Sequence, residues 1–279
     1  MSTPSPDSPL EAAIVAVGTA AFAQGEFVAL RKTPPAFPGV ELAGHFLKHA
    51  DEQTIVALEA VRRAAERFEL DTRDHERWAI VAAPKFVGRL AGVQILERFA
   101  KSGGSGVPPH AVAQNSLHSV SGAVSIALGI HGPNVGLGGG PWAMADGLTA
   151  ALTLFDTARI PGIWLLLTQF DPEPTPDEQG RPLAGTTCHA VALALMPGAA
   201  GNSRLSLYPG SAGRELSRDK PTLDKPTLDK RPEPSVAEVA ACVESAERGL
   251  ATRWSCWLPW GGRIELRLAA AEQTLRRAA

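Results

Sequence analysis

The chain has 279 residues, 44% of them hydrophobic, enough to fill a core in one large domain or two small ones. Its 27 Lys and Arg against 29 Asp and Glu leave a formal net charge of -2, so it carries no electrostatic footprint for nucleic acid or an anionic membrane, and neither partner is expected. The three cysteines, Cys188, Cys242 and Cys256, have neither a metal-ligand spacing nor a disulfide framework and fit reduced thiols in a cytoplasmic protein.

Residues 1–10 read as a flexible, polar N-terminus without the basic and apolar regions of a secretion signal. Ala12 to Gly18 is a short apolar run ending at glycine, read as a first strand covered on both faces. After a Pro-rich loop from Thr33 to Pro38, Asp51 and Glu52 open an amphipathic helix over 51–69, with Ile55, Leu58, Val61, Ala65 and Phe68 on its apolar face. Trp78 to Ala83 repeats the buried-strand pattern, and Val87 to Ala100 a helical one, before the breaker Ser102 to Gly106.

A helix from Ser116 to Leu128 closed by Gly129, a Gly-Pro strand at 132–137, a helix from Pro141 to Ala158 and a buried strand at 162–168 follow. The apolar stretch Ile163 to Leu167 falls far short of the roughly 20 residues a membrane helix needs. Cys188 to Met196 is another strand. The repeat Asp219-Lys220-Pro221-Thr222-Leu223 and Asp224-Lys225-Pro226-Thr227-Leu228 marks an exposed linker over 201–234, after which 235–279 forms an extension with a helix at Ser235 to Gly249 and a strand at Arg263 to Leu268. Alternating strands and helices predict an α/β fold, a mixed sheet covered by helices, with a partly irregular C-terminal extension.

The segment Ser121 to Val135, with Ile126-Ala127-Leu128-Gly129 leading into Gly132-Pro133-Asn134-Val135, resembles the N-terminal half of beta-ketoacyl synthases and chain-length factors, which have the thiolase-like fold. The resemblance continues through Ile163 to Asp171 and Leu183 to Pro197, covering roughly residues 10 to 198, and makes 11–200 a ketosynthase N-terminal-like domain. Aligning Gly132-Pro133 without gaps puts Pro141 at the family's nucleophilic cysteine and Trp142 at the following serine. Proline has no sulfur to carry a thioester and no backbone N–H to hold its oxyanion, a donor worth roughly 3 kcal/mol in comparable sites. No Cys, Ser or Thr lies between Gly132 and Thr149, and the family's His-Gly-Thr-Gly-Thr and Asn-x-Gly-His patterns do not occur. The resemblance therefore implies no catalytic residue, a vestigial nucleophile position at Pro141, a pocket lined by His118, Gly139, Gly140 and Trp142, and a dimer strand of Pro133, Asn134, Val135, Gly136 and Leu137.

The remaining candidates carry structural readings beside the functional ones. Gly138-Gly139-Gly140 before a helix could cradle an anion, but close backbone packing at a tight turn is favoured, and Pro141 suits an N1 position. His118 is either a pocket wall or a hydrogen-bonded core histidine. His45 and His49 are four apart without a His-Glu-x-x-His motif, so no metal is expected. Cys188 and His189 are adjacent and would point to opposite faces of a strand. Trp254, Trp257 and Trp260 form either a binding surface or a packing cluster for the tail.

The leading expectation is a non-catalytic ketosynthase-like subunit, forming a homodimer or a heterodimer with a ketosynthase, with acyl carrier protein as a further partner and no cofactor. The alternatives are an acyltransferase with a non-standard nucleophile such as Cys188 or a partner-completed site, and an acyl or small-ligand binding module.

Overall fold

In a computed structural model of the protein, residues 8–37, 40–157, 159–175, 185–198, 201–210 and 232–270 are described. The strands are β1 (Leu10–Ala23), β2 (Ala79–Pro84), β3 (Asn134–Gly136), β4 (Ile163–Asp171), β5 (Thr187–Pro197), β6 (Arg204–Tyr208), β7 (Thr252–Trp257) and β8 (Arg263–Leu268). The helices are α1 (Phe27–Leu30), α2 (Glu52–Arg67), α3 (Arg89–Ser102), α4 (Pro109–Gln114), α5 (His118–Leu128), α6 (Ala143–Thr157) and α7 (Val236–Glu247).

All eight strands form one mixed sheet in the order β3-β2-β4-β5-β1-β6-β8-β7. β2 pairs in parallel with both β3 and β4, and every other pairing is antiparallel. The period of two along each strand divides the core between the sheet's faces. Ile163, Leu165 and Leu167 pack under α6 and α7, whereas Trp164, Leu166 and Phe170 pack under α2 and α5. The result is three layers, helices over sheet over helices. No helix among the described residues is long and apolar enough to cross a membrane.

Helix α2 starts where its sequence says it should. Asp51 is its N-cap and accepts a hydrogen bond from Gln53 N at 2.8 Å. Ile55, Leu58, Val61 and Ala65 are buried, while Glu59, Arg62, Arg63 and Glu66 exchange ion pairs on its outer surface. Under α5, Trp164 Nε1 donates to His75 Nδ1 at 3.2 Å, which satisfies both buried rings.

Several expectations require correction. β1 continues through Gly18 to Ala23, because Gly18 marks a close approach and not a strand end: a Cβ there would lie 2.3 Å from Ala60 O in α2. Residues 204–208, expected inside the linker, form β6 against β1 and β8. Thr252–Trp257, read only as an aromatic cluster, forms edge strand β7. The helix and strand expected as a C-terminal extension widen the same sheet, and their buried side chains share a core with β4 and β5. The Asp-Lys-Pro-Thr-Leu repeat lies outside the described residues.

The α2–β1 contact makes a direct prediction. Gly18→Ala should destabilise the protein by about 1–3 kcal/mol in urea denaturation, because the new methyl meets helix backbone that cannot step aside. Gly25→Ala, where nothing lies within 4 Å, should change stability little by comparison.

Candidate functional site

The carboxyl ends of the parallel strands β2, β3 and β4 gather the loops that matter, as in other open α/β sheets. Leaving β3, Leu137 N donates to Ala82 O at 2.9 Å and Gly139 N to Pro84 O at 3.2 Å, so the chain stays zipped to β2 as it turns toward α6. Gly138 and Gly139 have φ of 91° and 81°, a left-handed conformation that side chains rarely adopt. Space also forbids a larger residue, since a Cβ on Gly138 would lie 2.7 Å from Ala143 Cβ and one on Gly139 would lie 3.0 Å from Leu117 Cδ2. These glycines serve close packing, as expected for a tight turn.

Pro141 is not at the first position of the helix. Ala143 N donates to Gly140 O at 3.1 Å and Asp146 N to Trp142 O at 3.0 Å, so Pro141 occupies the second position of a turn immediately before α6. Its fixed φ suits that position, and its missing N–H leaves no bond unmade. Between Gly138 and Trp142 there is no thiol and no hydroxyl.

Two of the four residues expected to line one pocket, His118 and Trp142, are divided by the sheet, while Gly139 lies beside Leu117, the residue before His118. His118 is the first residue of α5, is exposed, and borders a cavity of about 200 Å³ shared with Phe46, Thr54 and Ile126. Trp142 packs on the opposite face, against the core beneath α6 and α7, and neither it nor Gly139 or Gly140 borders that cavity. The reason is topological: α5 covers one side of the sheet and α6 the other, so His118 and Trp142, near the starts of those two helices, end up with the sheet between them. His118 is therefore neither a core histidine nor a wall for Trp142.

The strand residues Pro133 to Leu137 do lie together at the end of the sheet. β3 is its terminal strand and pairs only with β2, and Asn134 is exposed. Its inner side is fixed by Ile80 N donating to Pro133 O at 2.8 Å and by Gly136, where a Cβ would lie 2.3 Å from Leu117 O.

The cysteines offer no replacement nucleophile. Cys188 on β5 is fully buried, and its thiol is held far above the usual range by burial first and then by the charges of Asp51, Glu52 and Glu173. Burial pushes Cys256 up to about 12, and Cys242 is raised for the same reason. Cys188 belongs to the core beneath α2, while His189, half-buried, faces away from it along the strand.

His45 and His49 lie in a series of turns, not on one helical face, and the His49 ring stacks on His110 with centroids 4.2 Å apart. Trp254 is packed beneath α7 and donates through Nε1 to Glu238 Oε2 at 3.1 Å, whereas Trp257 and Trp260 are exposed. The tryptophan cluster is thus split between packing and surface.

A polar network at this edge was not singled out from the sequence. Thr168 Oγ1 donates to Gln53 Oε1 at 2.7 Å, Gln53 Nε2 to Lys85 O at 2.8 Å, and Gly88 N to Asp51 Oδ2 at 3.1 Å. Lys85 Nζ reaches Glu233 at 2.8 Å. Burial raises the Asp51 carboxyl above its ordinary value and pushes Glu173 up to about 7, with Arg89 3.6 Å from the latter. The signal was present in Thr168-Gln169, two polar residues inside an otherwise apolar strand, which had to be satisfied by something.

No family model and no curated protein matches the chain. Among solved structures, one chain of AntDE:AntF, a type II PKS acyl-carrier protein in complex with its ketosynthase bound to the hexaketide, is 12% identical, with 93% of this chain and 99% of that one covered at a TM-score of 0.58. The fold is ketosynthase-like. A ketosynthase (ApeO) in complex with its chain length factor (ApeC) from Xenorhabdus doucetiae matches at 20% identity, covering 71% of this chain and 82% of that one, with a TM-score of 0.46. The ishigamide ketosynthase/chain length factor matches at 13% identity, covering 68% and 59%, with a TM-score of 0.45. The α/β thiolase-like architecture expected from the motif order is the one this chain has.

Two outcomes follow from the site. Because the raised Asp51 and Glu173 carboxyls bind protons more tightly folded than unfolded, the stability they contribute should be lost as pH rises from about 5 to about 7, whereas His49, His75 and His189, whose pKa values desolvation lowers, contribute in the opposite sense in that range. Glu59 and Glu265, held low mainly by their arginine partners, act in the opposite sense only at more acidic pH. The urea midpoint of the wild type should fall relative to that of Glu173→Gln as pH rises across that range, and the relative fall should be larger against the variant that also carries Asp51→Asn. Separately, iodoacetamide should leave Cys188 unlabelled in the native protein and label it after unfolding, as peptide mass mapping would read.

Proposed function

We infer that the protein is a non-catalytic ketosynthase-like subunit that pairs with a ketosynthase in polyketide, aryl-polyene or fatty-acid-type synthesis, in the manner of a chain-length factor, in the cytoplasm. One observation carries the reading: the loop that follows β3 keeps its glycines and its turn into α6, yet presents Pro141 where the family it resembles has a cysteine. A scaffold retained without its nucleophile is suited to binding and shaping, not to forming an acyl-enzyme. The outer edge of β3 supports the same reading, because unpaired strand N–H and C=O groups in the terminal strand are a template for a second chain. The expected dimer strand, Pro133 to Leu137, is the segment concerned, and acyl carrier protein is a further partner of such an assembly.

The acyltransferase alternative with Cys188 as nucleophile is weakened by that residue's complete burial and by the carboxylates around it. The binding-module alternative needs no nucleophile and predicts saturable acyl-ligand binding without turnover.

Co-expression with a ketosynthase encoded beside it, followed by size-exclusion chromatography with light scattering, should give a stable complex that Val135→Lys disrupts. After incubation with acyl carrier protein loaded with an acyl chain, intact mass should show no adduct on this subunit. A stable monomer that ignores the ketosynthase, or an acylated subunit, would overturn the proposal.

A further inference from the structure

The α2 N-terminus, α3 and α4 enclose a cleft of about 370 Å³ on the side of the sheet covered by α2 and α5. It is distinct from the loop around Pro141, and the ketosynthase-like reading does not use it. Its size falls in the range of small-molecule sites, roughly 300–1,000 Å³.

The charges around it do not cancel. Arg31 is committed to Glu52 at 2.5 Å and to Ala50 O at 3.1 Å, so that pair is internally neutral. Asp51 spends its carboxylate on Gln53 N and Gly88 N and is partly neutralised by its raised pKa. Lys48 and Arg98, both exposed and both lining the cleft, have no carboxylate partner among the described residues. The stacked rings of His49 and His110 lie on the same rim. Apolar side chains line the cleft as well: Leu90 and Ile95 of α3, the helix that also carries Arg98, with Ala111 of α4. Helix α3 has no buried residue at all, which leaves its apolar side chains without a structural duty in the core.

Two unpaired cations beside apolar side chains in one cleft suit an amphiphile with a doubly charged head. We propose that this cleft binds a small phosphate monoester carrying a short apolar tail, with Lys48 and Arg98 on the phosphate and α3 on the tail. Both cations are needed because a phosphate offers acceptors in several directions, and the guanidinium can take two of them at once. The tail adds affinity in proportion to the surface it removes from water. The site stands whether or not the chain pairs with a ketosynthase.

Isothermal titration of the full chain with hexyl phosphate, inorganic phosphate and hexanol separates the parts of this claim. Hexyl phosphate should bind at least about tenfold tighter than either of the others. The double variant Lys48→Gln, Arg98→Gln, which changes only exposed side chains, should lose about tenfold or more of that affinity with an unchanged melting temperature. Ile95→Asn should remove the advantage of hexyl phosphate over inorganic phosphate while leaving the latter's binding as it was. Equal affinity for hexyl phosphate and hexanol, no heat for any of the three, or a double variant that binds like the wild type would each overturn the proposal.

Discussion

Thr168 and Gln169 lie side by side in β4, a strand whose residues from Ile163 to Phe170 are all buried, with β2 and β5 on its edges and helices on both faces. Both are shut off from bulk solvent, and an unsatisfied polar group there would cost about 1–3 kcal/mol. Each is therefore tied to the start of a different helix. Thr168 donates to Gln53 in the first turn of α2, on one face, and Gln169 accepts from Val236 N at the start of α7, on the other. These two bonds hold the ends of both helix layers against the carboxyl edge of the sheet. The remaining polar contacts at that edge, from Asp51 to Gly88 and from Gln53 to Lys85, extend the same arrangement outward.

That edge is where an α/β sheet ordinarily does its chemistry, and here its loops are ordered by main-chain and side-chain hydrogen bonds. The turn into α6 is held by main-chain bonds to β2 and by glycines with no room for a side chain, so its shape is independent of what stands at position 141. Proline fits that turn without strain. Elsewhere in the sheet the Cys188 thiol is buried, and its pKa is raised by that burial first and then by the charges of Asp51, Glu52 and Glu173.

The fold was most legible in the sequence where one force dominated. β2, β4 and β5 are continuous apolar runs because both faces are covered, and short unbroken apolar runs seldom arise in any other setting. Legibility fell where a residue type has several uses. Gly18 looked like a strand end and is a contact with α2; Arg204–Tyr208 was too short and too polar to stand out from a linker; and the tryptophans of β7 hid a strand behind their aromatic character. The polar edge network was hidden because its members, Asp51, Gln53, Lys85 and Thr168, are scattered along the chain and belong to no motif.

The order of amino acids by itself determined β2, β4, β5, α2 and α5 and the absence of any thiol or hydroxyl between Gly132 and Thr149, because periodicity and side-chain chemistry are local properties. Only the tertiary structure decided which of those residues meet. His118 and Trp142 parted because the chain passes through β3 between them and places their helices on opposite faces of the sheet, while Lys48 and Arg98, far apart in the chain, came to share a cleft. Proximity of that kind depends on crossovers and layer assignment, which no stretch of sequence encodes alone.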